Sequence, residues 1–270
     1  MDALGGEAVP ALAKLTLSLR VTGVRADGYH ILDAEMVTVD LADTLYLGPG
    51  QGLEVALDGP ATAAGYGEVP EDGTNLVVRA LRLLGREARV RLVKRIPAGA
   101  GLGGGSADAA AVLRWAGVGG PAGVDLAGRL GSDVPFCLAG AGRARVEGVG
   151  EVLTPLPFED MAGQPYTLLV PPFGVPTAAV YQVWDELGGP AGDNLNDLEP
   201  AALRVEPRLA LWRDKLGDGT GQVPRLAGSG STWFVAGNHP GDGRLVVTVA
   251  RTKPGAKDAL GCSRCLPDRP

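Results

Sequence analysis

A chain of 270 residues, 45% hydrophobic and 21% charged, has the make-up of an ordinary globular protein of one large or two smaller α/β units. A formal net charge of -6 argues against a dedicated nucleic-acid binder. No apolar stretch has the length of a membrane-spanning helix and the acidic N-terminal residues do not lead an apolar core, so a soluble cytoplasmic protein is expected.

The first predicted element is a strand over 13–21, where apolar and polar residues alternate as on a half-buried surface. A turn at Asp27-Gly28 follows, then strands over 36–41, 45–47 and 53–57. Apolar residues at helical spacing (Leu76, Val77, Ala80, Leu81, Leu84) predict a helix over 75–84. Residues 88–96 alternate again and are expected to form an antiparallel strand with one wet face. The run Pro97 to Ser106 breaks all regularity and opens into a strong helix former over 107–115. A short helix over 125–130, a turn over 131–135 and a strand pair over 143–146 and 152–156 complete the first half. The Pro-rich stretch 155–165 is the candidate subdomain boundary. Beyond it come a strand over 166–170, helices over 177–187 and 207–216, a second glycine-rich turn over 228–231, and strands over 232–236 and 245–250. Residues after Arg251 are polar, rich in Pro and Gly, and expected to be disordered.

So dense a run of glycines before a helix has a physical use. Glycine lets the backbone approach a ligand closely and adopt positive φ, and the helix that follows points free N–H groups at the loop. A plain turn explains one or two such glycines, not this run. Gly99-x-Gly101-x-x-Gly104 fits a dinucleotide loop, but the strand before it carries charge and no acidic strand end follows at the expected distance. Gly99 to Gly104 also fits half of a Walker loop, with Gly105-Ser106 where Lys-Ser or Lys-Thr belongs.

The run Pro97-x-Gly99-x-Gly101-Leu102-Gly103-Gly104-Gly105-Ser106 resembles the phosphate loop of the GHMP kinase superfamily. Ala13-Lys14-Leu15 resembles that family's first motif and Leu226 to Thr232 its third, in the same order. Further segments (Arg25 to His30, Gly131 to Phe136, Glu147 to Glu151, Val175-Pro176-Thr177, Asn196 to Pro200) resemble the branch that phosphorylates a cytidine-diphosphate sugar alcohol on the way to isoprenoid precursors. The resemblance implies an α+β fold of two subdomains, with mixed sheets, helices and an active site in the cleft. The N-terminal subdomain is expected over 1–156, the C-terminal one over 157–251 and a tail over 252–270.

Phosphoryl transfer needs positioning, charge stabilisation and a base for the acceptor hydroxyl. The resemblance implies Asp133 as that base, with Lys14 beside it to keep it ionised and to stabilise developing charge. It implies ATP along Pro97, Gly99, Gly101, Leu102, Gly103, Gly104, Gly105 and Ser106, with Asn75 near the adenine and the Ser106 hydroxyl a partner for Mg2+. On the acceptor side it implies Thr16, Tyr29, His30, Thr177, Tyr181, Gly228, Ser229 and Gly230, with Tyr29 and His30 at the cytosine and Tyr181 stacking from the other side. A small molecule is the expected partner, with no nucleic acid or membrane.

Three departures stand out: Thr16 replaces an asparagine, Ala107 a second serine, and Ala227 the serine before the glycine turn of the third motif, 228–231 (the third glycine turn). The stretch after Gly237 is short where the family carries a helix. The rival readings are another acceptor (homoserine, mevalonate or a sugar), a nicotinamide-dependent oxidoreductase, and a non-catalytic nucleotide-binding relative. Cys137 reads as a buried small hydrophobe, and Cys262 and Cys265 as an incidental pair in the tail, since a zinc site needs further ligands and the chain has two histidines.

Overall fold

A computed structural model describes residues 6–63 and 69–250 of the chain. The expected tail, with Cys262 and Cys265, lies outside the described residues.

Two long strands build the first sheet. β1 (Glu7–Val24) and β2 (His30–Gly48) pair antiparallel along almost their whole length. The other edge of β2 is shared: β4 (Arg89–Lys94) pairs with 44–48 and β5 (Arg143–Gly148) with 32–37, both antiparallel. β3 (Gly52–Leu57) adds parallel to β4, and β6 (Val152–Pro155) antiparallel to β5. The second sheet runs β10 (Arg244–Thr248), β7 (Pro165–Leu169), β9 (Trp233–Ala236), β8 (Arg225–Leu226), all antiparallel.

The helices in chain order are α1 (Pro60–Ala63), α2 (Leu76–Leu83), α3 (Gly104–Trp115), α4 (Gly120–Gly128), α5 (Val134–Ala139), α6 (Thr177–Glu186), α7 (Glu199–Val205) and α8 (Leu209–Thr220). α2, α3 and α5 pack on the first sheet around Leu45, Val90, Leu92 and Leu113. α6, α7 and α8 pack with the second sheet around Trp233, Leu198 and Leu216. A third cluster, with Leu15, Val37 and Val39 from the first sheet and Leu168, Phe234 and Val247 from the second, joins the two. The architecture is the expected α+β one.

Several elements differ from expectation. The strands expected over 36–41 and 45–47 are one strand, because the polar residues between them are absorbed; Asp43 is fully buried. The strand over 13–21 is not half-buried, since Lys14 and Thr16 are 4% and 1% exposed. Their polar phase faces loops, not water. Register shifts flank both positions, between Leu12 and Lys14 and between Thr16 and Ser18, and such bulges re-aim side chains. The turn expected over 131–135 ends at Asp133, where α5 starts with Pro135 in its first turn, a position that needs no N–H. α4 begins at Gly120 instead of 125, the helix expected over 207–216 runs from Leu209 to Thr220, and α1 and α7 were not expected. Cys137 is half-buried, packed between the first two clusters.

Candidate active site

α3 starts inside the glycine run. Its N-cap is Gly103 at φ 69°, a left-handed conformation that only glycine takes up without cost. Gly101, at φ 78°, is needed for a different reason: a Cβ there would stand 2.6 Å from the Gly230 carbonyl oxygen and 2.7 Å from that of Ala227. The two glycine-rich turns therefore interlock. Thr232 reinforces the contact, donating to the Ala100 carbonyl from its hydroxyl at 2.7 Å and from its amide at 3.2 Å. Ala107 and Ala227, two of the departures, are fully buried in this packing.

A cavity of about 370 Å³ opens over the first turn of α3. All nine residues expected around the nucleotide line it: Asn75, Pro97, Gly99, Gly101, Leu102, Gly103, Gly104, Gly105 and Ser106. Asn75 also caps α2, accepting from the Val77 amide at 2.9 Å and donating to the Pro70 carbonyl at 2.7 Å.

A lysine also lies beneath the loop. Lys94, on β4, also lines this cavity, and a Cβ on Gly104 would stand 3.1 Å from its Nζ. The ammonium is clasped by Asp43 and, at 2.7 Å, by Asp108. Burial works to lower the Lys94 pKa, and the charges of Asp108 and Asp43 override it, leaving it raised. Burial pushes the Asp108 carboxyl up to about 7 against the pull of Lys94, with Asp43 adding repulsion. Asp108 Oδ1 is buried without a partner, while Asp43 Oδ1 accepts from the Ile96 amide at 2.8 Å. Sequence reading missed this cluster. The available signal was Lys94 standing on the buried phase of β4, after Val90 and Leu92.

The second lysine lies where three segments meet. Lys14 Nζ stands 3.3 Å from Asp133 Oδ2 and donates to Thr16 Oγ1 at 3.0 Å. A Cβ on Gly103 would press on the Lys14 stem at 2.8 Å, and one on Gly228 would stand 3.6 Å from its Nζ. Asp133 occupies the N-cap position of α5 yet makes no side-chain capping bond, and its side chain remains 29% exposed. A carboxylate spared from capping and open to solvent can accept a proton from a bound hydroxyl, and a neighbouring ammonium can meet charge that develops beside it. Neither residue lines either of the two large cavities.

A cavity of about 900 Å³ begins one residue from Asp133, at Ser132. Tyr29, His30 and Tyr181 line it, as do Arg25, Arg79 and Arg129. The rings are not arranged as two separate faces around a slot. His30 lies on Tyr181, centroids 4.6 Å apart and tilted by 30°, and meets the edge of Trp184. Its Nε2 pairs with Asp185 at 2.9 Å, while Tyr29 is 62% exposed under Arg25. Burial, with the Asp133 charge second, raises the Tyr181 hydroxyl above its ordinary pKa. Thr177 and Ser229 line neither cavity; their hydroxyls bond each other at 2.9 Å and tie α6 to the third glycine turn. Among the described residues there is no group of three or more His, Cys, Asp or Glu side chains that could hold a metal ion, and no helix is long and apolar enough to cross a membrane.

Residues 75–141 match the GHMP kinases N terminal domain. The chain is 40% identical over 250 residues to the 4-diphosphocytidyl-2-C-methyl-D-erythritol kinase of Paracoccus denitrificans (strain Pd 1222), an alignment covering 84% of this chain and 85% of that one. It is also 40% identical over 253 residues to the enzyme of the same name from Cereibacter sphaeroides (strain ATCC 17029 / ATH 2.4.9), covering 83% and 87%. A crystal structure of 4-(cytidine 5'-diphospho)-2C-methyl-D-erythritol kinase superposes with a TM-score of 0.63 at 32% identity, over 87% of this chain and 91% of that one. A homoserine kinase structure from Cytophaga hutchinsonii, at 17% identity and a TM-score of 0.55, shares the fold.

Proposed function

We infer the activity from one premise: the chain belongs to the 4-diphosphocytidyl-2-C-methyl-D-erythritol kinase family of GHMP kinases. It is an ATP-dependent small-molecule kinase, and its reaction is transfer of the γ-phosphoryl group to the 2-hydroxyl of 4-diphosphocytidyl-2-C-methyl-D-erythritol. The observation that carries the reading is the Lys14–Asp133 pair, held where the phosphate loop, the third glycine turn and the start of α5 converge.

In this reading the nucleotide's phosphates lie over the first turn of α3, whose free N–H groups and positive dipole end favour negative charge. Asp133 takes the proton of the acceptor hydroxyl as the O–P bond forms, and ADP leaves. Lys14 stabilises the charge that develops on the transferring group. Thr16, in place of an asparagine, holds Lys14 through its hydroxyl, so the substitution keeps a polar partner at this point. Mg2+ fits the donor set if it keeps its waters and phosphate ligands, since the Ser106 hydroxyl lines the cavity and no cluster of carboxylates is required. Bound there, the ion would neutralise phosphate charge. The acceptor's cytidine end belongs in the larger cavity, with the exposed face of Tyr29 offered for stacking and the His30–Tyr181 pair forming one wall. A reaction among soluble metabolites suits the cytoplasm.

The test is ADP release across a panel of hydroxyl acceptors. The cytidine compound should be turned over best, its uridine analogue clearly worse, and methylerythritol without the nucleotide scarcely at all, because remote binding energy positions the hydroxyl. Preferred turnover of homoserine, mevalonate or a sugar would replace this acceptor; reduced nicotinamide binding in place of ATP would replace the kinase.

A further inference from the structure

The segment from Asn196 to Pro200, a turn that leads into α7, has no part in the chemistry above, yet connecting segments seldom hide their polar side chains. Asn196, Asp197 and Glu199 are 3%, 5% and 8% exposed. The Asn196 amide nitrogen donates to two carbonyls, Leu226 at 2.8 Å and Gly228 at 2.8 Å, and its side-chain oxygen accepts from the Leu198 amide at 3.0 Å. The two carbonyls bracket Ala227. One side chain thus grips the entrance of the third glycine turn on both sides.

The backbone that carries Asn196 is itself fastened to β1. The Leu19 amide donates to Leu195 at 2.8 Å, and the Asp197 amide returns a bond to Leu19 at 3.0 Å. The Asp197 carboxylate accepts from the Val21 amide at 3.0 Å and from Arg20 Nη1 at 2.5 Å. These partners continue the strand that carries Lys14 and Thr16. At the far end of the linkage, a Cβ on Gly228 would stand 3.6 Å from Lys14 Nζ and 3.8 Å from Thr16 Oγ1.

We propose that Asn196 is a positioning residue for phosphoryl transfer: by tying the Leu226 and Gly228 carbonyls to β1, it sets the distance between the third glycine turn and Lys14. The inference rests on the kinase reading above. Only a side chain with two N–H donors and one acceptor at this length meets all three bonds. Aspartate has the same shape and no donor, so it turns two attractions into repulsion between oxygens.

Asn196→Asp should lower kcat about 10²-fold, the scale on which displacement by about 1 Å acts, while nucleotide affinity stays within a few-fold. Leu216→Ala, a core truncation in α8, should lose comparable thermal stability and keep kcat, separating positioning from general destabilisation. A crystal structure of Asn196→Asp should show Gly228 moved away from Lys14. If Asn196→Asp does not fold, Gly228→Ala disturbs the same turn, because the backbone there holds φ 63°, a left-handed conformation that a Cβ strains, while the added methyl itself makes only ordinary contact with Lys14 Nζ at 3.6 Å; its kcat should fall too. Folded Asn196→Asp with parental kcat, or Gly228→Ala with parental kcat, overturns the proposal. If the parent transfers no phosphoryl group to the cytidine acceptor, the acceptor reading fails, and the position of the turn in the Asn196→Asp structure then decides this proposal: an unmoved turn contradicts it.

Discussion

Lys14 and Lys94 sit on strands of the same sheet, each faces carboxylates, and each lies against the phosphate loop. Their surroundings separate them. Lys94 is clasped by two carboxylates that are at most 3% exposed, and its charge is spent on holding β2, β4 and α3 together. Lys14 touches one carboxylate at 3.3 Å, longer than a good charge-assisted bond, and that carboxylate is open to solvent. A cation clasped between two buried carboxylates is a joint; a cation beside one partly exposed carboxylate is available for chemistry. Neither residue type nor the burial of the lysines distinguishes them, whereas the number of carboxylates and their exposure do.

Exchanging the two lysines in turn breaks the comparison most severely. Lys94→Met should leave Asp43 and Asp108 buried without their cation, a loss of about 3–5 kcal/mol in stability, read by urea unfolding. Its turnover, scaled to the folded fraction, should fall far less than that of Lys14→Met. Lys14→Met should lose roughly 10²–10³-fold in kcat, the usual cost of removing a donor aimed at transition-state charge. Steady-state ADP release, with a thermal melt to confirm the fold, checks it. If Lys94→Met abolishes turnover in a folded protein and Lys14→Met does not, the two roles are reversed.

The smallest effect concerns Asp108 and has a definite sign. Its carboxyl is raised in the folded chain from 3.8 to about 7, first by burial. Between those values the folded state binds more protons than the unfolded state, so this group's stabilisation is present at low pH and is lost as pH rises through about 7. Asp108→Asn removes that slope. The stability of the variant relative to the parent should therefore increase from about pH 5 to about pH 8, measured by thermal melts without nucleotide or magnesium. A stability difference that stays flat from about pH 5 to about pH 8 would mean that Asp108 is ionised throughout.

The glycine run was legible in the sequence because glycine spacing is a local property, whereas Lys14 and Asp133 were singled out only by the family resemblance, and the structure brings the two together at 3.3 Å. The residues expected at the nucleotide line one cavity, and the α+β class came with the family resemblance and agrees with the two sheets and their helices. What escaped was set by packing between distant segments. Asp43 looked like a break between two strands, yet it is the buried partner of Lys94. α5 was read as a turn because six residues around Pro135 carry too little periodicity to announce a helix. The stacking of His30 on Tyr181 depends on how α6 meets the start of β2, which neither segment encodes alone.

In the proposed reading the Lys14–Asp133 pair performs the transfer while the Lys94 cluster only holds the loop. Single-turnover phosphoryl transfer by Asp133→Asn, measured beside its ATP dissociation constant, tests it most directly. The account predicts a fall of about 10²–10⁴-fold in rate, the range of general-base assistance, with ATP affinity within a few-fold of the parent. A folded Asp133→Asn protein that transfers phosphoryl at the parental rate would contradict it.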